Sequence, residues 1–198
     1  MLHFFLSPND IEIGCDEAGR GCLAGPVFAA AVIWPHDLVI DGLNDSKQIS
    51  EAKRKEFRKA IEANCTWAIG ICNAQEIDKI NILNASILAM HKALDSIKEP
   101  FNSILVDGNR FKQYKDIKHK TIVKGDSKYL SIAAASILAK THRDEYMENM
   151  NEKYPNYQWK KNKGYPTTDH REAIKQFGIT EYHRKTFRLL PSQLELNF

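Results

Sequence analysis

The sequence predicts an α/β fold in which a mixed sheet is flanked by helices. Three apolar, strand-like segments at residues 12–17, 26–34 and 66–73 are joined by short or polar connections, which favours antiparallel pairing. Farther along, strand-like and helix-like segments alternate, an order typical of parallel strands joined by crossover helices. At 198 residues, with 43% apolar and 27% charged residues, the chain is long enough for one domain with a substantial core.

The remaining elements are predicted from hydrophobic spacing and from residues that begin or end helices. Ser50 occupies an N-cap position at the start of one helical pattern, and Pro100 ends another. The predicted helices cover residues 50–63, 84–97, 126–150 and 169–177, and the later strands cover residues 103–107 and 121–123.

The chain shows no internal repeat and no linker. We therefore expect residues 1–190 to form one domain with a C-terminal helical extension, and residues 191–198 to form a flexible tail. The longest apolar runs are too short to span a bilayer, and the N-terminus lacks the features of a secretion signal. The four cysteines lack zinc-ligand spacing and are expected to be reduced thiols. These observations predict a cytoplasmic protein that does not bind membranes, and nothing in them demands more than a monomer.

The net charge of +3 is mild, but residues 160–188 contain eight basic and only three acidic residues. Interleaved aromatic residues in this basic segment could stack on bases or riboses, which favours nucleic-acid binding. An ordinary solvated helix face is the alternative for such a run of charge. The aromatic residues are Tyr157, Trp159, Tyr165, Tyr182 and Phe187.

Two adjacent carboxylates, Asp16 and Glu17, follow the first predicted strand, and a Gly-Arg-Gly turn comes directly after them. Burying such a pair costs several kcal/mol unless a cation or strong donors compensate. The stretch therefore favours a site for metal and phosphate, with a solvent-exposed acidic turn as the alternative.

Two further carboxylates occupy comparable positions, because Asp107 ends a predicted strand and Asp126 follows another. Ligands in open α/β sheets gather at such strand ends. Oxygen ligands without nearby His or Cys favour Mg²⁺ or Mn²⁺, and two such ions about 4 Å apart can support phosphodiester hydrolysis. Capping of the following helix is the alternative role for Asp126. No Gly-Lys-Ser/Thr follows the glycine turn, which argues against a P-loop.

Six short motifs occur in order between about residue 11 and about residue 188. Together they resemble bacterial type 2 ribonuclease H (RNase HII), and Gly-Arg-Gly rather than Gly-Thr-Gly favours type 2 over type 3. The motifs are Asp16-Glu-Ala-Gly-Arg-Gly with Leu23-Ala-Gly-Pro, Asn44-Asp-Ser-Lys47, Val106-Asp-Gly108, Lys124-Gly-Asp-Ser-Lys128, Ser131-Ile-Ala-Ala-Ala-Ser-Ile-Leu-Ala-Lys140 and Gly164-Tyr-Pro-Thr167.

The resemblance implies an RNase H-like fold and a Mg²⁺- or Mn²⁺-dependent endonuclease with a two-ion site. Its substrates would be RNA–DNA hybrids and DNA duplexes with embedded ribonucleotides. Cleavage on the 5′ side of the ribonucleotide would leave a 3′-hydroxyl and a 5′-phosphate, and the expected roles are ribonucleotide and RNA-primer removal. The matching metal-binding and catalytic acids are Asp16, Glu17, Asp107 and Asp126.

The resemblance also implies the substrate-binding residues. Gly19, Arg20 and Gly21 match the loop that senses the ribose 2′-hydroxyl, and glycines allow the close backbone approach that this needs. Tyr165 matches the tyrosine that packs on the sugar of the following deoxynucleotide. Candidates for phosphate contacts are Asn44, Lys47 and Ser136.

The segment from Gln193 to Phe198 resembles the short peptide by which bacterial replication and repair proteins bind the sliding clamp. A tail that folds back on its own domain, or simple disorder, is the alternative. Two other functions also stay open: a non-catalytic RNA–DNA binding module, and a nuclease of the same fold that acts on DNA junctions.

Overall fold

A computed structural model describes residues 2–43 and 50–190 of the chain. Its centre is a five-stranded sheet of order β3-β2-β1-β4-β5. The first three strands pair antiparallel, whereas β1, β4 and β5 are parallel, as the sequence predicts. The strands are β1 (Glu12–Ala18), β2 (Val27–Ile33), β3 (Thr66–Cys72), β4 (Ser103–Asp107) and β5 (Lys118–Ile122).

Six α-helices accompany the sheet in the described residues. α3 packs against β2 and β3 on one face, and α4 packs against β1 and β2 on the other, where α1 also contacts α4. Apolar side chains alternate between the two faces, because Ile13 of β1 belongs to the core beneath α3 and Ala30 of β2 to the core beneath α4. The helices are α1 (Glu51–Asn64), α2 (Ala74–Ile80), α3 (Ile82–Ser96), α4 (Leu130–Lys153), α5 (Trp159–Asn162) and α6 (Thr168–Phe177).

Two glycines let helices approach the sheet closely. A Cβ built on Gly70 of β3 would lie 1.9 Å from the carbonyl oxygen of Ala89 in α3. A Cβ on Gly14 of β1 would lie 2.4 Å from the carbonyl carbon of Ser131 in α4. Both helices therefore rest on the bare backbone of a strand, and this contact sets the height of α4 over β1.

Two predicted elements differ from the structure, and one helix was not predicted. β5 begins at Lys118, before the predicted apolar segment, because an edge strand pairs on one side only and tolerates exposed lysines. The short α2 was not predicted, although Asn73 and Glu76 form a capping box at its start. The long helix begins at Leu130 with Tyr129 as N-cap, so the capping role for Asp126 is wrong.

The predicted interaction of the basic segment's aromatic residues with nucleic acid is wrong for two of them. Trp159 is fully buried and Tyr157 almost fully, and both pack in the core of the C-terminal extension. Much of the positive charge is also engaged, since Lys161 pairs with Asp169 and Arg184 is buried. The segment is mainly a packed extension of the domain.

All four cysteines are free thiols, and three of them are buried, in agreement with the sequence prediction. No helix within residues 2–43 and 50–190 has the length and apolar character needed to cross a membrane.

We expect Gly70→Ala to lower the free energy of unfolding by about 1–3 kcal/mol, because the new methyl group overlaps the backbone of α3. Urea unfolding measures the effect. Gly21→Ala is the control, since no atom lies within 4 Å of the position of its Cβ. Equal unfolding midpoints for the two variants would contradict this account of the helix–sheet contact.

Candidate active site

The carboxylates lie at the carboxyl ends of two neighbouring strands. Cys15 of β1 is in register with Val106 of β4, so the residues that follow, Asp16 and Asp107, lie side by side. The amide N–H of Gly125 donates to Oδ1 of Asp107 at 2.6 Å, which brings the adjacent Asp126 to the same edge of the sheet. Two parallel strands and one short turn therefore gather acids from three parts of the chain.

Burial and like charge act together on Asp16, whose side chain is almost completely buried. Burial raises the pKa of Asp16 well above its usual value, and the carboxylates of Glu17 and Asp107 raise it further. The hydroxyl of Ser136 and the N–H of Glu17, the latter at 2.7 Å from Oδ1, partly offset this effect on the pKa. The anionic form of Asp16 is therefore destabilised in the folded chain.

Burial also destabilises the anionic form of Glu17, and Arg20 partly offsets this effect. Burial raises the pKa of Glu17, Arg20 opposes this rise through an ion pair of 3.0 Å, and Asp107 adds to it. Arg20 itself is half exposed, so the pair lies at the rim of the site. This end of the sheet holds concentrated negative charge that a cation would stabilise.

The Gly-Arg-Gly loop is held from below by a buried arginine that the sequence analysis did not identify. Arg184 is fully buried and donates to the carbonyl oxygens of Gly19 at 2.7 Å and of Arg20 at 2.8 Å. It also donates twice to the carbonyl oxygen of Gly25. Burial lowers the pKa of Arg184 to about 10, so the guanidinium stays charged at neutral pH.

A second buried arginine, Arg143 of α4, holds the other end of the loop. Its guanidinium donates to the carbonyl oxygens of Ala24, Pro26 and Lys163 at 2.8–3.1 Å. Gly19 has a φ of +96°, and a Cβ there would lie 2.0 Å from Nε of Arg143. Only glycine fits this position, because both the backbone conformation and the packed guanidinium exclude a side chain.

A cleft of about 470 Å³ extends from Glu17 along the loop to Tyr165. The Tyr165 ring is 37% exposed, and its hydroxyl contacts the thiol of Cys22, next to the loop. Nζ of Lys140 lies 5.7 Å from the centre of that ring. The residues lining the cleft are Glu17, Ala18, Gly19, Arg20, Gly21, Arg54, Ser136, Ile137, Lys140 and Tyr165.

The profile of the Ribonuclease HII family matches residues 13–190. A Ribonuclease HII of Parabacteroides distasonis is 61% identical to the chain over 199 residues, and the alignment covers 100% of both. The chain belongs to the ribonuclease HII family. Ribonuclease HII is a metal-dependent endonuclease that hydrolyses RNA in RNA–DNA hybrids, so the chain is an enzyme of this class.

Two solved structures share the RNase H-like architecture. A chain of the PCNA:RNase HII complex from Archaeoglobus fulgidus superposes with a TM-score of 0.77 at 25% identity, covering 91% of this chain and 96% of that one. Bst-RNase HIII in complex with Mn²⁺ superposes with a TM-score of 0.70 at 20% identity, covering 90% and 67%. The predicted fold, a mixed five-stranded sheet flanked by helices, is confirmed.

The residues fit a hard divalent cation, because the donors are buried carboxylates whose mutual repulsion such an ion would relieve. Within the described residues, no three His, Cys, Asp or Glu side chains already form a closed metal-binding group. A preformed cage is not required for Mg²⁺, which keeps several waters and uses one or two carboxylates. Two predicted residues, Asn44 and Lys47, lie outside the described part of this ribonuclease HII.

We expect Asp16→Asn to stabilise the fold of the metal-free enzyme at neutral pH. The pKa of Asp16 is higher in the folded state than in the unfolded state, so the folded state binds more protons. The free energy of unfolding therefore falls as pH rises above the unfolded pKa of 3.8. The amide removes this cost, and the melting temperature should rise by about 2–4 °C for each kcal/mol gained.

Thermal melting near pH 7, with and without Mg²⁺, measures this effect. Mg²⁺ should raise the melting temperature of the wild type more than that of Asp16→Asn. Asp116→Asn serves as an exposed control. A lower melting temperature for Asp16→Asn than for this control would contradict the repulsion.

Proposed function

We propose that the enzyme recognises the junction between a ribonucleotide and the following deoxynucleotide. It would cut on the 5′ side of single ribonucleotides in duplex DNA as well as within longer hybrids, leaving a 3′-hydroxyl and a 5′-phosphate. The observation that carries this proposal is a cleft lined by Glu17, the Gly-Arg-Gly loop and Tyr165. This activity suits ribonucleotide removal and RNA-primer removal in a cytoplasmic monomer built from residues 1–190.

The catalytic centre is assigned to four acids. Asp16 and Asp107 are the central pair, since they are neighbours across parallel strands, and Glu17 and Asp126 complete the set. They would hold Mg²⁺ or Mn²⁺, and the similarity to a Mn²⁺-bound RNase HIII supports this choice. When bound as a pair, these ions supply stabilisation of the attacking and leaving oxygens of a phosphodiester.

The loop is suited to contact with a ribose. Arg184 and Arg143 fix its carbonyl groups, so the loop is preorganised before substrate binds. Gly21 lines the cleft, and no protein atom lies within 4 Å of the position of its Cβ. Neither a positive φ nor close packing explains a glycine at position 21, whereas the close approach of a sugar and its 2′-hydroxyl does.

Tyr165 lines the same cleft as Glu17 and the loop. Its exposed ring could pack on a deoxyribose, and a 2′-hydroxyl on that sugar would meet the flat apolar face. Nζ of Lys140 near the ring is a contact for a backbone phosphate, and Ser136, Asn44 and Lys47 are assigned the same role.

The test of this function is cleavage of a labelled DNA duplex that contains one ribonucleotide, with Mg²⁺, Mn²⁺ or EDTA. We expect a metal-dependent cut directly 5′ of the ribonucleotide and no cut in an all-DNA duplex. Asp107→Asn should reduce the rate by about 100-fold or more while binding persists, because it removes a carboxylate from the reacting centre. Asp116→Asn is the exposed control.

Other outcomes would separate the alternatives. Binding without cleavage in any metal would indicate a non-catalytic module, and cleavage of the all-DNA duplex would indicate a DNA nuclease. Near-normal turnover in Asp107→Asn would contradict the assignment of the acids.

We also propose that the tail from Gln193 to Phe198 binds the sliding clamp. The similarity to a chain of an archaeal PCNA:RNase HII complex supports a clamp partner, although this tail lies outside the described residues. Deletion of residues 193–198 should abolish binding to the bacterial clamp and leave cleavage of short duplexes unchanged. Equal clamp binding by the full-length and shortened chains would rule out this role.

A further inference from the structure

We propose that His170 and His183 form a hydrogen-bonded relay that positions Tyr165 in the cleft. This inference rests on the proposed role of Tyr165 in junction recognition, and it assigns a positioning role to two residues outside the acids and the loop. Both imidazoles are fully buried in the C-terminal extension, where neither can touch substrate.

The relay begins at Thr180 and ends at Tyr165. The N–H of Thr180 donates to Nδ1 of His183 at 2.9 Å, and Nε2 of His183 lies 3.3 Å from Nε2 of His170. Nε1 of Trp159 donates to the same Nε2 of His170 at 3.1 Å. Nδ1 of His170 lies 2.9 Å from the carbonyl oxygen of Tyr165.

These partners allow only one proton arrangement for neutral rings. The indole of Trp159 can only donate, so Nε2 of His170 accepts and its proton is on Nδ1, where it bonds to the Tyr165 carbonyl. The backbone N–H of Thr180 can only donate, so His183 carries its proton on Nε2 and donates to His170. The single lone pair on Nε2 of His170 then receives both donors, the nearer from Trp159 at 3.1 Å and the longer from His183 at 3.3 Å.

Both rings are neutral near pH 7, which the relay requires. Burial lowers the pKa of His183 to about 3, and the neighbouring His170 contributes to this lowering. Burial also lowers the pKa of His170. A protonated His170 could not accept from Trp159 or His183, and the chain of donors would be broken.

The relay acts on a short, otherwise irregular segment. The carbonyl oxygen of Tyr165 accepts from His170 and also from the N–H of Thr167 at 2.8 Å, which satisfies both of its lone pairs. The preceding Gly164 has a φ of +82°, and its carbonyl accepts from the N–H of Leu23 at 2.8 Å. The position of the Tyr165 backbone therefore depends on His170 and Thr167 at its carbonyl, and on Asn162, whose carbonyl oxygen accepts from the Tyr165 N–H at 2.8 Å.

His183 also connects the relay to the Gly-Arg-Gly loop. It forms an isolated β-bridge with Ala24, and the next residue is Arg184, which holds the loop carbonyls. The loop that would contact the ribose and the tyrosine that would contact the deoxyribose are thus linked through the backbone around His183. Simple core packing would need neither the directional donors nor the fixed tautomers.

Two amide substitutions separate positioning from packing. In His170→Asn the amide nitrogen reaches the position of Nδ1 and can still donate to Tyr165, but the acceptor for Trp159 is lost. In His170→Gln the amide reaches the position of Nε2, so it can accept from Trp159 and His183, but the donor to Tyr165 is lost. A packing role favours Gln, because it preserves more volume, whereas a positioning role favours Asn.

The measurement is kcat/KM on a DNA duplex with one ribonucleotide, in wild-type and Tyr165→Ala backgrounds. We expect His170→Gln to reduce kcat/KM by about tenfold or more and His170→Asn to stay close to wild type, because small misplacement at a reacting site is costly. In the Tyr165→Ala background, His170→Gln should cause no further loss, since both changes act through one side chain.

Each result distinguishes the relay from the proposed function. If the wild type cuts but the Asn and Gln variants are equally active, or if the Gln effect persists in Tyr165→Ala, the relay is wrong. If the wild type does not cut this substrate, or if Tyr165→Ala leaves kcat/KM unchanged, the proposed junction recognition fails, and the relay's role fails with it.

Should the variants not fold, ¹⁵N spectra of the wild-type imidazoles decide. Protonation of His170 on Nδ1 and of His183 on Nε2 supports the relay, and any other tautomers overturn it.

Discussion

Two buried guanidiniums determine where the functional elements of this ribonuclease HII can lie. Arg143 and Arg184 direct their donors to main-chain carbonyls of residues 19–26, and hydrogen bonds from a charged group contribute about 1.5–3 kcal/mol each. Without these acceptors, each buried charge would cost several kcal/mol. The loop and the arginines therefore depend on each other. Because Arg143 is on α4 and Arg184 is in the C-terminal extension, the loop also fixes these two parts of the chain relative to β1.

The site places opposite charges next to each other in a way that serves a phosphodiester substrate. The carboxylates at the ends of β1 and β4 repel one another, and the strands hold them together because their apolar side chains fill the two cores. Directly beside them, Arg20 of the loop pairs with Glu17 at 3.0 Å, and the buried Arg143 and Arg184 hold the loop carbonyls. This repulsion lowers the stability of the fold. A divalent cation that relieved it would stabilise the folded chain. The electrostatic repulsion among the carboxylates is thus concentrated at the place where a bound cation would relieve it.

The sheet, its mixed pairing and the position of the acids follow from the sequence, since apolar strand patterns end at Asp16 and Asp107 and reveal the edge where they meet. Other features could not be read in this way. Arg184 in the basic segment and Arg143 in the long helix look like surface arginines, and only the folded chain shows that they are buried. Trp159 and Tyr157 had the spacing of a nucleic-acid platform, but the extension needs a core of its own. The contacts of His170 with Trp159 and with His183 join residues 11 and 13 apart in the chain.

The edge position of β5 has a consequence for the enzyme in the crowded cell. Within residues 2–43 and 50–190, β5 pairs with β4 alone, so its outer side has no strand partner there, close to the strand that carries Asp107. Such an edge invites pairing with a strand of another molecule. β5 is only five residues long and carries the exposed Lys118 and Lys120, of which Lys118 pairs with Asp10 at 2.8 Å. The polar residues that put the start of this strand outside the sequence prediction are therefore of the kind that natural proteins place on sheet edges to discourage edge-to-edge aggregation.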